Sequence, residues 1–150
     1  MKVVMPHGGP TVFEEAAIAL AGAAPNARFV QMYAPHDYWR FLRDLWRKQE
    51  SFIIVEHDIV VTPAVIEVLT RCREPWCAFP YLQLPGEPVT GLGCTKFSRR
   101  LMFAIDPFEG VNDVIWPNVD YELVSRLRAA GYENHVHQPP VRHLNPKAGG

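Results

Sequence analysis

The sequence predicts an α/β fold: a single domain with a mostly parallel central sheet flanked by helices. Three observations carry that expectation. Short apolar runs alternate with helical periodicities along the chain. One of those runs, Phe52-Ile53-Ile54-Val55, is apolar at every position, as befits a strand covered on both faces. The length, 150 residues with 48% apolar content, suits one core rather than two. The formal net charge of -1 gives no global basic field, so tight nonspecific nucleic-acid binding is not expected. No run of about 18 apolar residues is present, which argues against a membrane-spanning helix. The apolar core of the N-terminus is too short for a signal peptide, so the expected location is the cytoplasm.

The first strand is read over Val3–Met5, followed by Pro6-His7-Gly8-Gly9-Pro10. Thr11 and Glu14 form a capping-box pattern at the head of an alanine-rich helix, 12–23. A second strand is expected over 27–32. An amphipathic helix follows over 36–49, with Tyr38, Phe41, Leu42, Leu45 and Trp46 on one face. Arg40, Arg43, Arg47 and Lys48 fall elsewhere on it and are read as a solvated face. After the 52–55 strand, Thr62-Pro63 opens a helix to about Arg71. Further strands are expected over 76–81 and 90–97, the second with Gly91 and Gly93 for close backbone approach. Helices over 99–105 and 120–130, a strand over 135–138 and a short tail complete the chain. The domain is placed at 1–146 and the tail at 147–150. Cys72, Cys77 and Cys94 fit no CxxC-type zinc spacing and are read as reduced thiols.

The sharpest chemical feature is Glu56-His57-Asp58, directly after the buried strand. Parallel sheets bind ligands beyond the carboxyl ends of their strands. In an extended segment Glu56 and Asp58 face the same way, offering hard oxygen donors to a divalent cation. A polar strand end without a ligand has the same appearance. Asp120, at the expected start of the last helix, suits either simple helix capping or a general base. His135 and His137, one residue apart on the expected last strand, read better as ordinary histidines than as metal ligands.

These residues resemble the nucleotide-sugar glycosyltransferases of the A-type fold, especially the family-two-like inverting enzymes, in a small, minimal version. That family carries an Asp-any-Asp metal motif at this strand end, where the present chain has Glu56 and Asp58. Gly91 to Arg100 looks like its glycine-led strand, arginine pair and short helix. Val119-Asp120 to Gly131-Tyr132 resembles its Glu-Asp helix, with Val119 in the place of the Glu. Pro140-Val141-Arg142-His143 resembles its terminal strand and histidine. The resemblance implies a nucleotide-diphospho-sugar transferase-like fold and a divalent cation, Mn2+ or Mg2+, held by Asp58, His143 and Glu56. It implies Asp120 as catalytic base, and a nucleotide seated near His7, Gly8, Tyr33 and Glu56. Asp37 and Trp116 are further candidates to touch ligand rings.

The expected function is therefore metal-dependent, inverting transfer of a sugar from a nucleoside-diphosphate sugar to an acceptor hydroxyl. The acceptor is a small molecule, a protein or a modified nucleic-acid base. Two other readings stand beside it. A nucleotidyltransferase of related fold would carry basic residues in a glycine-rich loop after the first strand, and Pro6 to Pro10 has none. A non-catalytic nucleotide-sugar- or protein-binding domain agrees with Val119 in place of the Glu.

Overall fold

A computed structural model of the chain describes residues 1–8, 14–82 and 88–144. Its central sheet is built from β1 (Lys2–Gly8), β2 (Arg28–Met32), β3 (Phe52–Val55), β5 (Trp76–Ala78), β8 (Cys94–Phe97) and β9 (His135–Val136). The order is β2-β1-β3-β8-β5-β9, and every strand but β8 runs in one direction. The expected α/β architecture with a mostly parallel sheet is thus the one observed. The helices are α1 (Glu14–Ala23), α2 (Asp37–Arg47), α3 (Pro63–Arg71), α4 (Arg99–Ala104) and α5 (Trp116–Ala129). Two short antiparallel pairs stand apart from the sheet. One joins β4 (Ile59–Val60) to β10 (Arg142–His143), and the other joins β6 (Tyr81–Leu82) to β7 (Pro88–Val89).

The central strands of the sheet are buried on both faces. Phe52 and Ile54 of β3 join Tyr38, Trp39, Trp46, Phe97, Leu123 and Leu127 in one core, under α2, α4 and α5. Ile53 and Val55 point the other way, to Met5, Leu20, Ile66 and Leu69 under α1 and α3. That explains why β3 has no polar alternation. Three tryptophans satisfy their indole N–H groups inside the protein. Trp39 donates to Val111 O, Trp46 to Ile105 O and Trp76 to Tyr132 O, at 3.0, 2.8 and 3.1 Å. On the opposite core, Lys96 is buried, and its Nζ donates to the carbonyls of Thr70 and Cys72 at 3.1 and 2.6 Å. A cation there meets the negative end of α3.

Several boundaries differ from the expected ones. β1 continues through His7 and Gly8, which pair with Gln31 and Met32, so those two residues end a strand rather than begin a loop. The 76–81 strand stops at Ala78, since Pro80 lacks an N–H for the ladder, and Tyr81 belongs to the separate β6. The 90–97 strand starts only at Cys94, after the bend at Gly91–Gly93. β9 ends at Val136. The last helix starts four residues before Asp120, because Pro117 occupies its first turn, where a missing N–H costs nothing. The caps at Thr62 and Ser98 each accept a backbone N–H, from Val65 and Leu101, both at 3.3 Å. Gly131 ends α5 at φ +93°. The Thr11 capping box, Gly9 and the tail at 147–150 lie outside the described residues.

The aromatic core makes one clear prediction. Trp46 is 2% exposed and packs against Phe97 and Phe108 at ring-centroid distances of 5.3 and 5.6 Å. Trp46→Ala should cost about 3–5 kcal/mol, read as a lower urea midpoint at an unchanged slope.

Candidate functional site

Beyond the carboxyl ends of β1 and β3 the chain encloses a hollow of about 150 Å³ lined by Glu56, Asp58, Tyr81, Trp116, Pro117, Asp120 and His143. Glu56 and Asp58 arrive on the turn that leaves β3, held by the Glu56 N–H donating to Gly93 O at 2.9 Å. Asp120 arrives from α5. It lies past the helix's first turn rather than at the helix start the sequence suggested, so it caps no free helix N–H groups. Its Oδ2 instead accepts the Leu92 N–H at 3.1 Å. His143 is brought in by β10, which pairs with β4, and by the Leu144 N–H donating to Asp58 O at 2.7 Å. The His143 Nε2 then lies 2.9 Å from Asp58 Oδ2.

The approach of α5 to this segment depends on glycine. A Cβ on Gly91 would lie 2.2 Å from Asp120 Oδ2 and 2.7 Å from the Tyr81 hydroxyl oxygen. A Cβ on Gly93 would lie 2.6 Å from the Tyr81 ring. Both positions exclude any side chain unless the wall moves.

The electrostatics of the hollow are one-sided. Three carboxylates line it, and among its described lining residues there is no Lys or Arg. Burial, then the nearby charges of Asp120 and Asp58, hold the Glu56 carboxyl well above its ordinary 4.5. Burial raises Asp120 from 3.8, with Asp58 adding to the rise and the Leu92 N–H opposing it. Burial, then the same carboxylates, raises the Tyr81 hydroxyl. The Tyr38 hydroxyl is fully buried beside the Glu56 carboxyl, and burial, then the Glu56 and Asp120 charges, raises it as well. The Nδ1 of His143 is buried without a described partner.

The other expected site residues are placed as follows. His7 is buried within β1. A Cβ on Gly8 would lie 4.0 Å from the Trp116 ring, so the end of β1 adjoins the wall of the hollow. Tyr33 is 82% exposed and does not line it. Asp37 uses its carboxylate on the N–H groups of Tyr33 and Ala34, both at 2.8 Å, a turn role that lowers its pKa. Trp116 does line the hollow, with Tyr38 at 4.3 Å and His57 at 6.1 Å between ring centroids. His135 and His137 lie on the far edge strand and beyond it, away from these residues. Arg40, Arg43 and Arg47 pair with Asp113, Asp44 and Asp106 at 3.4, 3.2 and 3.5 Å, consistent with the solvated face expected of them. Sequence reasoning missed Tyr81 and Pro117. The signal for Tyr81 is the Phe79-Pro80-Tyr81 break in an otherwise continuous strand.

No protein-family model matches the chain, and no curated protein matches it significantly. Among solved structures, A197 from STIV is similar in fold at 10% identity, with a TM-score of 0.56 over 92% of this chain and 82% of that one. A glycosyltransferase involved in glycosylating the major capsid of PBCV-1 gives 13% identity and a TM-score of 0.49, covering 93% and 83% of the two chains. A Desulfovibrio desulfuricans G20 protein assigned to the nucleotide-diphospho-sugar transferases gives 14% and 0.47, covering 96% and 83%. No helix among the described residues is long and apolar enough to cross a membrane.

Two predictions follow from the geometry. Gly91→Ala should destabilise by about 1–3 kcal/mol through overpacking. Gly22→Ala, in α1 with nothing within 4 Å of the added methyl, should instead stabilise by about 0.5–1 kcal/mol. Paired urea titrations check both. The second prediction concerns pH. Because the folded pKa values of Glu56 and Asp120 are raised, the fold holds protons that the unfolded chain loses above their ordinary values of 4.5 and 3.8. Stability of the metal-free protein should therefore fall as pH climbs from about 4 through the raised values. Glu56→Gln should flatten that fall and gain stability at neutral pH. An unchanged pH profile in this variant would contradict the assignment.

Proposed function

We propose that the chain is a divalent-cation-dependent, inverting glycosyltransferase that uses a nucleoside-diphosphate sugar. The observation that carries the reading is the convergence of Glu56, Asp58, Asp120 and His143, from three distant stretches, on one hollow of about 150 Å³. Their chemistry fits a divalent cation: oxygen donors in excess, one imidazole, and no cationic side chain among the described lining residues. Asp58 and His143 would hold the cation with Glu56 beside them, and the imidazole favours Mn2+ over Mg2+. When bound, the cation supplies positive charge for the departing nucleoside diphosphate.

The protein's own residues account for the rest. Asp120 also borders a second cavity of about 590 Å³, whose walls include Tyr81, Tyr121, Ser125 and Arg128. An acceptor lying there presents its hydroxyl to the Asp120 carboxylate. Asp120 takes the hydroxyl proton while that oxygen bonds to the anomeric carbon from the face opposite the diphosphate. The bond from that carbon to the diphosphate oxygen breaks in the same step, and its electron pair leaves with the diphosphate. The ends of β1 and β2, with His7, Gly8 and Tyr33, are assigned to the nucleotide.

One observation favours a binding domain without turnover. Val119 is fully buried in the core, so the position where the resembled family carries a glutamate offers no carboxylate to the site. Thermal shifts with a panel of nucleoside-diphosphate sugars, with and without Mn2+, followed by transfer assays, separate the two. The transferase reading expects donor binding that needs the cation and is lost in Asp58→Ala. Asp120→Asn should keep donor binding while transfer falls about 10²–10⁴-fold. Donor binding indifferent to a chelator would overturn the cation's role, and cation-dependent binding with neither transfer nor donor hydrolysis would select the binding domain.

A further inference from the structure

We propose that Cys72, Cys77 and His137 form a zinc(II) site, separate from the carboxylate hollow, that ties the end of α3 to the β5–β9 edge of the sheet. The two sulfurs and one imidazole nitrogen all lie within 4.8 Å of one another. Among the described residues this is the set of three ligating side chains that meets such a spacing. Its members come from three different elements. Cys72 is the C-cap of α3, Cys77 is the middle residue of β5, and His137 follows β9 directly.

Each ligand is held by bonds that owe nothing to a metal. The carbonyl of Cys72 accepts the buried Lys96 Nζ at 2.6 Å. Cys77 is paired on one side with Lys96 of β8 and on the other with His135 of β9. The His137 N–H donates to Ala78 O at 2.9 Å, and its ring stacks on Phe79 at 5.3 Å. The His137 Nε2 is buried, with no hydrogen-bond partner among the described residues. A ligand set fixed in advance in this way loses little entropy on binding.

The donor chemistry selects the ion. Two thiolates and an imidazole suit zinc, and a hard cation such as Mg2+ has no use for them. Binding releases the two thiol protons to solvent, against the burial that holds the Cys77 thiol well above its ordinary value. Zinc prefers four ligands. The fourth position would fall to water, since the three ligating atoms that meet are those of Cys72, Cys77 and His137. Buried cysteines that merely fill space need no imidazole beside them.

The test uses the whole chain, reduced and freed of metal, titrated with Co2+ as a coloured stand-in for zinc. The expected result is a thiolate-to-cobalt charge-transfer absorption that saturates at one equivalent and is removed by zinc. Cys77→Ser should abolish it, His137→Ala should weaken it, and Asp58→Ala should leave it intact. The last variant keeps this result distinct from the fate of the transferase reading. No charge-transfer band, or a band unaffected by Cys77→Ser, would overturn the proposal. Should Cys77→Ser not fold, alkylation of the partly exposed Cys72 in the unmodified chain decides the matter. Zinc should slow it severalfold, and an unchanged rate, or a Cys72–Cys77 disulfide that forms equally fast with zinc present, counts against the site.

Discussion

The contact between a glycine backbone and two side chains sets the geometry on which the rest of the cleft depends. Leu92 is fully buried and fixes the segment between Gly91 and Gly93. Gly93 O receives the N–H of Glu56, and the N–H of Leu92 reaches Asp120, so one short stretch of main chain spaces the two acidic elements. The Tyr81 ring closes over Gly93. Remove the closeness of that packing and Asp120 no longer faces Asp58 across a common space.

The second constraint is charge. Gathering Glu56 and Asp120 beside Asp58 costs folding free energy, because burial and the neighbouring charges disfavour the ionised forms of Glu56 and Asp120. A fold tolerates such a cluster when the surrounding structure over-determines it. Here the chain end contributes: β10 is pinned to β4, and Arg142 bonds to Glu15 of α1. The long connection between α4 and α5 is secured as well. It gives carbonyls of Ile105 and Val111 to the indoles of α2, and those of Pro107 and Glu109 to Arg126. Thus the tryptophans of α2 help set where α5, and with it Asp120, begins.

Much of this was legible in the sequence, for identifiable reasons. The apolar run at 52–55, the Thr62-Pro63 helix start and Gly131 each act through local chemistry, and the structure keeps them. The glycines at 91 and 93 announced a close approach without saying to what. Asp120 was misplaced at a helix start because Pro117 reads as a breaker until a first turn is built around it. The contact of His143 with Asp58 spans most of the chain, so no spacing rule reveals it; only the likeness to a family suggested it. Cys72, Cys77 and His137 were illegible as a group because the histidine joins the thiols through the β5–β9 pairing, far from them in sequence.

One consequence lies in the reversed strand β8. Its neighbours β3 and β5 end at the rim of the cleft, whereas β8 begins there. Because the chain enters β8 at that rim rather than leaving it, the bend that leads in, Gly91 to Gly93, lies on the cleft side, and its Leu92 amide donates to Asp120 at 3.1 Å. A strand threaded the other way would carry that bend to the opposite edge of the sheet and leave the acid without its main-chain donor.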